Sequence, residues 1–271
     1  MQRRWNHVGH ERASILTLGL LLLGLTFADS AEGPLPSHSA LSTDEIVQRL
    51  VAANAHRTAR LRGYRGKRLY KLDYDGIFGG HAEMQVEANY QAPNDKSFRI
   101  LSESGSKLLN HRVLLKLLES ERHAQEEQNR EALEISPTNY EFRLETIQHT
   151  PAGVFYVLEV KPISKSKYVY KGRIWVDAAD FAVARMDGTP ARNPSFWVSH
   201  VEVQYAWTKI DGFWLPTHNY SVTEVRLGGR AVLNIDYSDY EIVTESQPTR
   251  PVTTDEKTVL PNPTLLSVEP P

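Results

Sequence analysis

GVFYVLEVKP (Gly153–Pro162) and KYVYKGRIWVD (Lys167–Asp177) decide the fold class of this chain. Val154, Tyr156, Leu158 and Val160 alternate with polar or neutral positions in the first run. Tyr168, Tyr170, Ile174 and Val176 share one phase of the second. A period of two puts apolar side chains on one face of a β-strand and leaves the other face to water. The same pattern spreads in both directions. NYEFRLETI (139–147) aligns Tyr140, Phe142 and Leu144. HVEVQYAWTK (200–209) aligns Val201, Val203, Tyr205 and Trp207, and RAVLNIDY (230–237) aligns Ala231, Leu233, Ile235 and Tyr237. The connections TPAG, KIDG and LGG are turn-sized, so neighbouring strands run antiparallel as a meander. Upstream, RLYKLDY and AEMQVEANYQ alternate around Gly76, Gly79 and Gly80. Seven to ten strands joined in this way predict a sheet that curls toward a barrel.

Two segments break the period. Ser42 or Thr43 caps a helix in STDEIVQRLVAANAHRTARL, with Asp44 and Glu45 in the first turn and Ile46, Val47, Leu50 and Ala53 on one face. A second helix is predicted in SKLLNHRVLLKLLESERHAQEEQNREAL, which has no glycine or proline from Ser106 to Leu133. Leu108, Leu109, Val113, Leu114, Leu117 and Leu118 make a broad apolar face in its first half. From Glu119 it is almost wholly charged or amide and is expected in solvent. Its apolar half packs as core or closes over a ligand as a lid. The class is mainly β (α+β): a curved antiparallel half-barrel closed by helices.

The ends carry other information. Residues 1–31 have the order of a secretory signal: Arg3, Arg4 and Arg12, then fourteen uncharged residues from Ile15 to Ala28, then small residues. Cleavage is expected between Ala28 and Glu32, because fourteen residues fall short of the roughly twenty that span a bilayer. Residues 32–41 form a Pro/Ser linker, 42–243 the folded domain, and 244–271 an extended or disordered tail holding six of the fifteen prolines. These features assign the mature chain to the periplasm. With no cysteine, lipid attachment through a lipobox, a thiol nucleophile and Cys-based metal sites are excluded.

Catalytic signals are few. None of the ten histidines belongs to a His-x-x-x-His or His-x-His pair, and His200-Val201-Glu202 alone is too short a match for a metal site. GIFGG (76–80) lacks the Lys-Ser/Thr of a phosphate loop, and ESGSK (103–107) lacks the Gly-x-Ser-x-Gly elbow of a hydrolase. The expectation is a non-enzyme with no cofactor and no metal. The basic stretch Lys161, Lys165, Lys167, Lys171 and Arg173 reads as edge protection, not as a nucleic-acid surface, and a net charge of −2 agrees.

The inward phase is rich in large rings. Tyr156, Leu158, Tyr168, Tyr170, Ile174, Val203, Tyr205, Trp207, Leu233 and Ile235 are the candidate lining of a cavity for apolar chains, or they simply fill the interior. DGTPARNPSFW (187–197) marks a strand exit and an extended crossing, stiffened by Pro190 and Pro194. Phe196 and Trp197 then stand as a candidate cavity rim.

The order of signal, amphipathic helix TDEIVQRLVAAN, meander and lid-like helix resembles the bacterial outer-membrane lipoprotein-sorting proteins, the LolA/LolB-like superfamily, in its uncharacterised periplasmic branch. GRIWVDAADFAVARMDG resembles that family's strand–Asp–strand hairpin and GFWLPTHNYSVTEVR its later hairpin. The resemblance covers roughly Ser42 to Val243. It implies a LolA-like half-barrel with a cavity for lipid or lipoprotein acyl chains, non-catalytic carriage in outer-membrane lipoprotein sorting, and a membrane-bound loading or receiving protein. It also implies an arginine that latches the lid, for which Arg112 and Arg143 are candidates. A monomer is expected. The alternative is an exported β-rich interaction module with a fully packed core and no ligand.

Overall fold

The computed structural model describes residues 41–77, 79–124, 134–226 and 228–244. The signal, most of the linker and the tail lie outside them. Among the described residues no helix is long and apolar enough to cross a membrane.

Helix α1 (Thr43–Arg60) opens on a capping box. The Glu45 amide donates to Ser42 Oγ (3.3 Å), and the Glu45 carboxylate accepts from the Ser42 amide (2.8 Å). Two orphan amides of the first turn are thereby satisfied. At Leu61 the backbone turns extended and runs directly into β1. Ten strands follow: β1 (Leu61–Tyr74), β2 (Gly80–Gln91), β3 (Asp95–Gly105), β4 (Tyr140–Thr150), β5 (Gly153–Pro162), β6 (Tyr170–Asp177), β7 (Val183–Pro190), β8 (Val198–Ile210), β9 (Phe213–Val225) and β10 (Arg230–Thr244). They form one antiparallel sheet in the order β3-β2-β1-β10-β9-β8-β7-β6-β5-β4. The sheet is open and curved, and β1 pairs with β10, so the first and last strands are neighbours, third and fourth across it. Gly172 faces Gly188 across β6 and β7. A Cβ at Gly188 would stand 2.5 Å from the Lys171 carbonyl oxygen, so the close approach there requires glycine.

Between β3 and β4 lies a helical run: α2 (Lys107–Leu109), a π-turn (Asn110–Leu114) and α3 (Leu115–Ala124). The wide π-turn adds a residue to the spiral and brings Leu109, Leu114 and Leu118 to one buried face. Leu108 and Leu117, assigned to that face from the sequence, are exposed instead. Uniform α-helical spacing cannot anticipate this rotation. Residues 125–133 of the predicted helix lie outside the described residues. β7 continues through Asp187 and Gly188 to Pro190, so the predicted strand exit at Asp187 lies three pairs too early; Pro190 sits opposite Tyr170 at the strand end, where its missing N–H costs nothing.

The concave face is covered in two parts. Helix α1 sets Ile46, Val47 and Leu50 against Leu158, Ile174, Val176 and Val203. The second run sets Leu109, Leu114 and Leu118 against Tyr70, Leu72, Met84 and Ile235. Three buried aliphatic side chains on each helical piece contribute roughly 5–8 kcal/mol of transfer free energy to its docking.

Candidate functional site

The two covered halves do not merge. No residue of β9 belongs to either cluster, although β9 lies between β8, on the α1 side, and β10, on the other. β9 is therefore a seam in the concave face. Its walls are rings: Tyr205 stacks on Trp207 at 5.6 Å, and Tyr170 meets Tyr205 edge-on at 6.0 Å. Burial raises the Tyr170 and Tyr205 phenols above the ordinary tyrosine value. Across the seam stand Leu233 and Tyr237, both half-buried.

Of the ten residues singled out from the sequence, Tyr156, Leu158, Tyr170, Ile174, Val203, Tyr205 and Trp207 fall in the α1-side cluster and Leu233 and Ile235 in the other. Leu158, Ile174, Val203 and Ile235 are buried in the packed layers. Tyr156, Tyr170, Tyr205, Trp207 and Leu233 keep part of their surface open. Tyr168 belongs to neither cluster. It precedes β6 beside the Lys167 ammonium, and Val169 takes the buried position.

At the far end of β8 a recess of about 250 Å³ opens, lined by Arg57, Ile135, Trp207, Phe213, Trp214 and Leu215 among others. Arg57 is already engaged. It donates to the carbonyl oxygens of Asp180 (2.8 Å) and Phe181 (3.0 Å) and to Asn54 Oδ1 (2.5 Å). Burial lowers its pKa, and the Asp180 carboxylate works against that. The Asp180 carboxylate in turn accepts from Trp214 Nε1 (2.9 Å) and Lys209. These contacts tie the β6–β7 hairpin tip to α1, and the recess is lined by polar groups of α1 on one side and by rings and aliphatic side chains on the other. Its volume lies just below the roughly 300–1,000 Å³ of small-molecule sites, enough for one end of an acyl chain.

An ion cluster fixes the second helical run. Arg68, 3% exposed, reaches inward from β1 to Glu121 on α3 at 2.6 Å, and Lys96 from β3 meets the other carboxylate oxygen at 2.5 Å. Arg68 also donates to Tyr70 Oη (3.2 Å) and lies 4.9 Å over the Tyr237 ring. Burial pushes the Glu121 carboxyl up, but Arg68 and Lys96 outweigh it and hold its pKa at about 2. Glu121 is thus an exception to the solvent-facing second half expected of this helix. Arg112 is exposed on the π-turn, and Arg143 lies on the outer face with Glu159 (2.7 Å) and Glu145 (3.1 Å). Among the described ion pairs, the arginine that joins a strand to the cover is Arg68.

Phe196 (76% exposed) and Trp197 (54%) stand just before β8, edge to face at 5.4 Å, with Arg226 over Phe196. The Trp197 carbonyl accepts from the Arg226 amide (2.8 Å), which ties this loop to the β9–β10 turn. Trp197 and Trp207 lie ten positions apart along the extended chain that enters β8, about 30 Å. The aromatic rim and the recess therefore occupy opposite ends of the seam.

No protein-family model matches the chain, and no curated protein matches it in sequence. In structure it is similar to a LolA-superfamily protein from Nitrosomonas europaea (16% identity, TM-score 0.35, 75% of this chain and 94% of that one). It is also similar to a DUF1329-family protein from Desulfovibrio piger (12%, TM-score 0.38, 76% and 95%). A third is a domain from Vibrio parahaemolyticus assigned to outer-membrane lipoprotein sorting (13%, TM-score 0.35, 74% and 95%).

Proposed function

We propose that this protein is an exported, non-catalytic carrier that holds an acyl chain of a lipid or lipoprotein along the β9 seam. The seam carries the reading: an apolar concave face divided into two separately covered halves, with half-open rings at the division. In a fully packed core the two clusters would be continuous across β9. The chain lies between the Tyr205–Trp207 wall and the Leu233–Tyr237 wall, with its end in the recess beside α1. Arg68, Lys96 and Glu121 latch α3 over one half. Release of that contact widens the seam without disturbing the α1 side. The Phe196–Trp197 rim marks the end from which the ligand exchanges with a membrane or a membrane-bound protein. The working compartment is the periplasm, reached through cleavage of the N-terminal segment.

The limited recess volume favours one alternative, an interaction module whose rings fill the interior. Native mass spectrometry of the protein exported to the periplasm, followed by titration with a fluorescent fatty acid and its methyl ester, separates the two. A carrier shows a co-purified acyl mass or saturable uptake at one site. A protein free of lipid that takes up neither probe is an interaction module.

A further inference from the structure

Asn219 sits in the middle of β9, opposite Tyr205 of β8 and Ile235 of β10. Directly opposed residues of antiparallel strands project to the same face. Asn219 therefore points inward with them, while its neighbour His218 points outward to Asp236 (2.8 Å). The residue is 3% exposed, and among the described residues no hydrogen bond reaches its side-chain amide, whose polar atoms keep what little surface it has, unlike the sealed Asn110 Oδ1. Ser221, opposite Val203 and Leu233, and Thr223, opposite Val201 and Ala231, continue the same inward line. Apart from the Arg68–Lys96–Glu121 cluster under α3, the concave face is thus crossed by amide, hydroxyl and hydroxyl, all on the one described strand that neither helix-covered cluster includes.

An amide on a side chain this deeply placed, with no protein partner, can be met only by water or by a ligand that enters from the seam. Leucine would fill the same position with no desolvation cost. The arrangement is accounted for if the partner arrives with a ligand. Resting on the carrier reading above, we infer that Asn219 is a specificity-determining residue that hydrogen-bonds an uncharged carbonyl group, ester or amide, on the bound acyl ligand. Asn219 Nδ2 donates to that carbonyl oxygen, and Oδ1 accepts from the N–H where the linkage is an amide. A bare hydrocarbon leaves both groups unpaired. A free carboxylate would have to bring its charge to an amide that supplies no counter-charge, because Arg68 and Lys96 are already held by Glu121. The site therefore selects acyl chains in their linked form over chains in their free form.

The test uses the exported full-length chain and four pyrene-labelled probes of equal chain length: alkane, methyl ester, N-methylamide and free acid. Each is titrated into wild type and Asn219→Leu. Because no hydrogen bond is removed, Asn219→Leu is expected to fold with its melting temperature unchanged or raised. The expected result is that wild type binds ester and amide roughly tenfold more tightly than the alkane. The variant loses that preference and keeps alkane binding. The ratio of amide to ester affinity in wild type assigns the linkage. Equal loss for all four probes, or a preference that survives the substitution, overturns the role of Asn219 and leaves the carrier intact. Wild type that binds none of the four fails the carrier reading itself. Asn219→Asp, which keeps the acceptor but adds charge, provides the second check: it should not restore the preference at neutral pH, and restoration there would refute the donor role.

Discussion

Replacing Glu121 by glutamine should uncouple the α3 cover, and the structure sets the size of the effect. Glu121 is the only carboxylate that meets Arg68 and Lys96 among the described ion pairs, and Arg68 has almost no solvent exposure. The folded pKa of about 2 lies below the ordinary value of 4.5. At about 1.36 kcal/mol per unit, the ionised carboxylate contributes roughly 3 kcal/mol. That agrees with the roughly 3–5 kcal/mol typical of breaking a buried pair, reduced because Glu121 is partly solvated. A carboxyl depressed on folding stabilises above its unfolded pKa. The contribution is complete above about pH 4.5 and is lost as pH falls through about 2. Urea unfolding at pH 7 should therefore show Glu121→Gln less stable than wild type by about 2–3 kcal/mol. The gap between the two proteins should close between pH 4.5 and pH 2. Hydrogen exchange should place the loss in α2, the π-turn and α3 before the strands. Stability within about 0.5 kcal/mol of wild type at pH 7, or a gap that does not depend on pH, would refute the latch.

Three further perturbations separate architecture from function. Ser42→Ala removes the capping box of α1 and should cost about 1 kcal/mol in chemical unfolding, with no change in acyl selectivity. Trp207→Glu places a charge in the seam wall and the recess, and should abolish fatty-acid uptake while circular dichroism still reports a folded sheet; joint loss of fold and uptake would assign Trp207 to the core. Phe196→Ser with Trp197→Ser should leave stability within about 0.5 kcal/mol but slow ligand transfer to and from vesicles. Unchanged transfer rates would remove the rim from the pathway.

Much of this was legible because strand alternation is a local signal. The inward positions of β5, β6, β8 and β10 follow from period two, and the Ser42 cap follows from Ser-x-x-Glu. Features set by irregularity were not legible. The π-turn rotates Leu108 and Leu117 outward, and the turn before β6 exchanges Tyr168 for Val169; neither carries a composition signal. Arg68 was readable in principle, since it shares a phase with Tyr70 and Leu72 in RLYKLDY, and a basic residue on an inward phase points to a buried partner. Its partner, Glu121, lies 53 residues away in a stretch whose charge alone suggested solvent. Asn219 shares the parity of Phe213 and Leu215 and is buried like them, but a lone amide in a strand rich in polar residues carries no composition signal that marks it.

The central claim, that an acyl chain lies along the β9 seam, is tested most directly by photocrosslinking. A fatty acyl probe with a mid-chain diazirine, bound to the exported protein and irradiated, should label peptides containing Tyr205–Trp207 and Leu233–Tyr237. Labelling should fall when an unlabelled ester-linked chain competes. Adducts confined to the outer face or to Phe196–Trp197, or none above the background of an unfolded control, would contradict it.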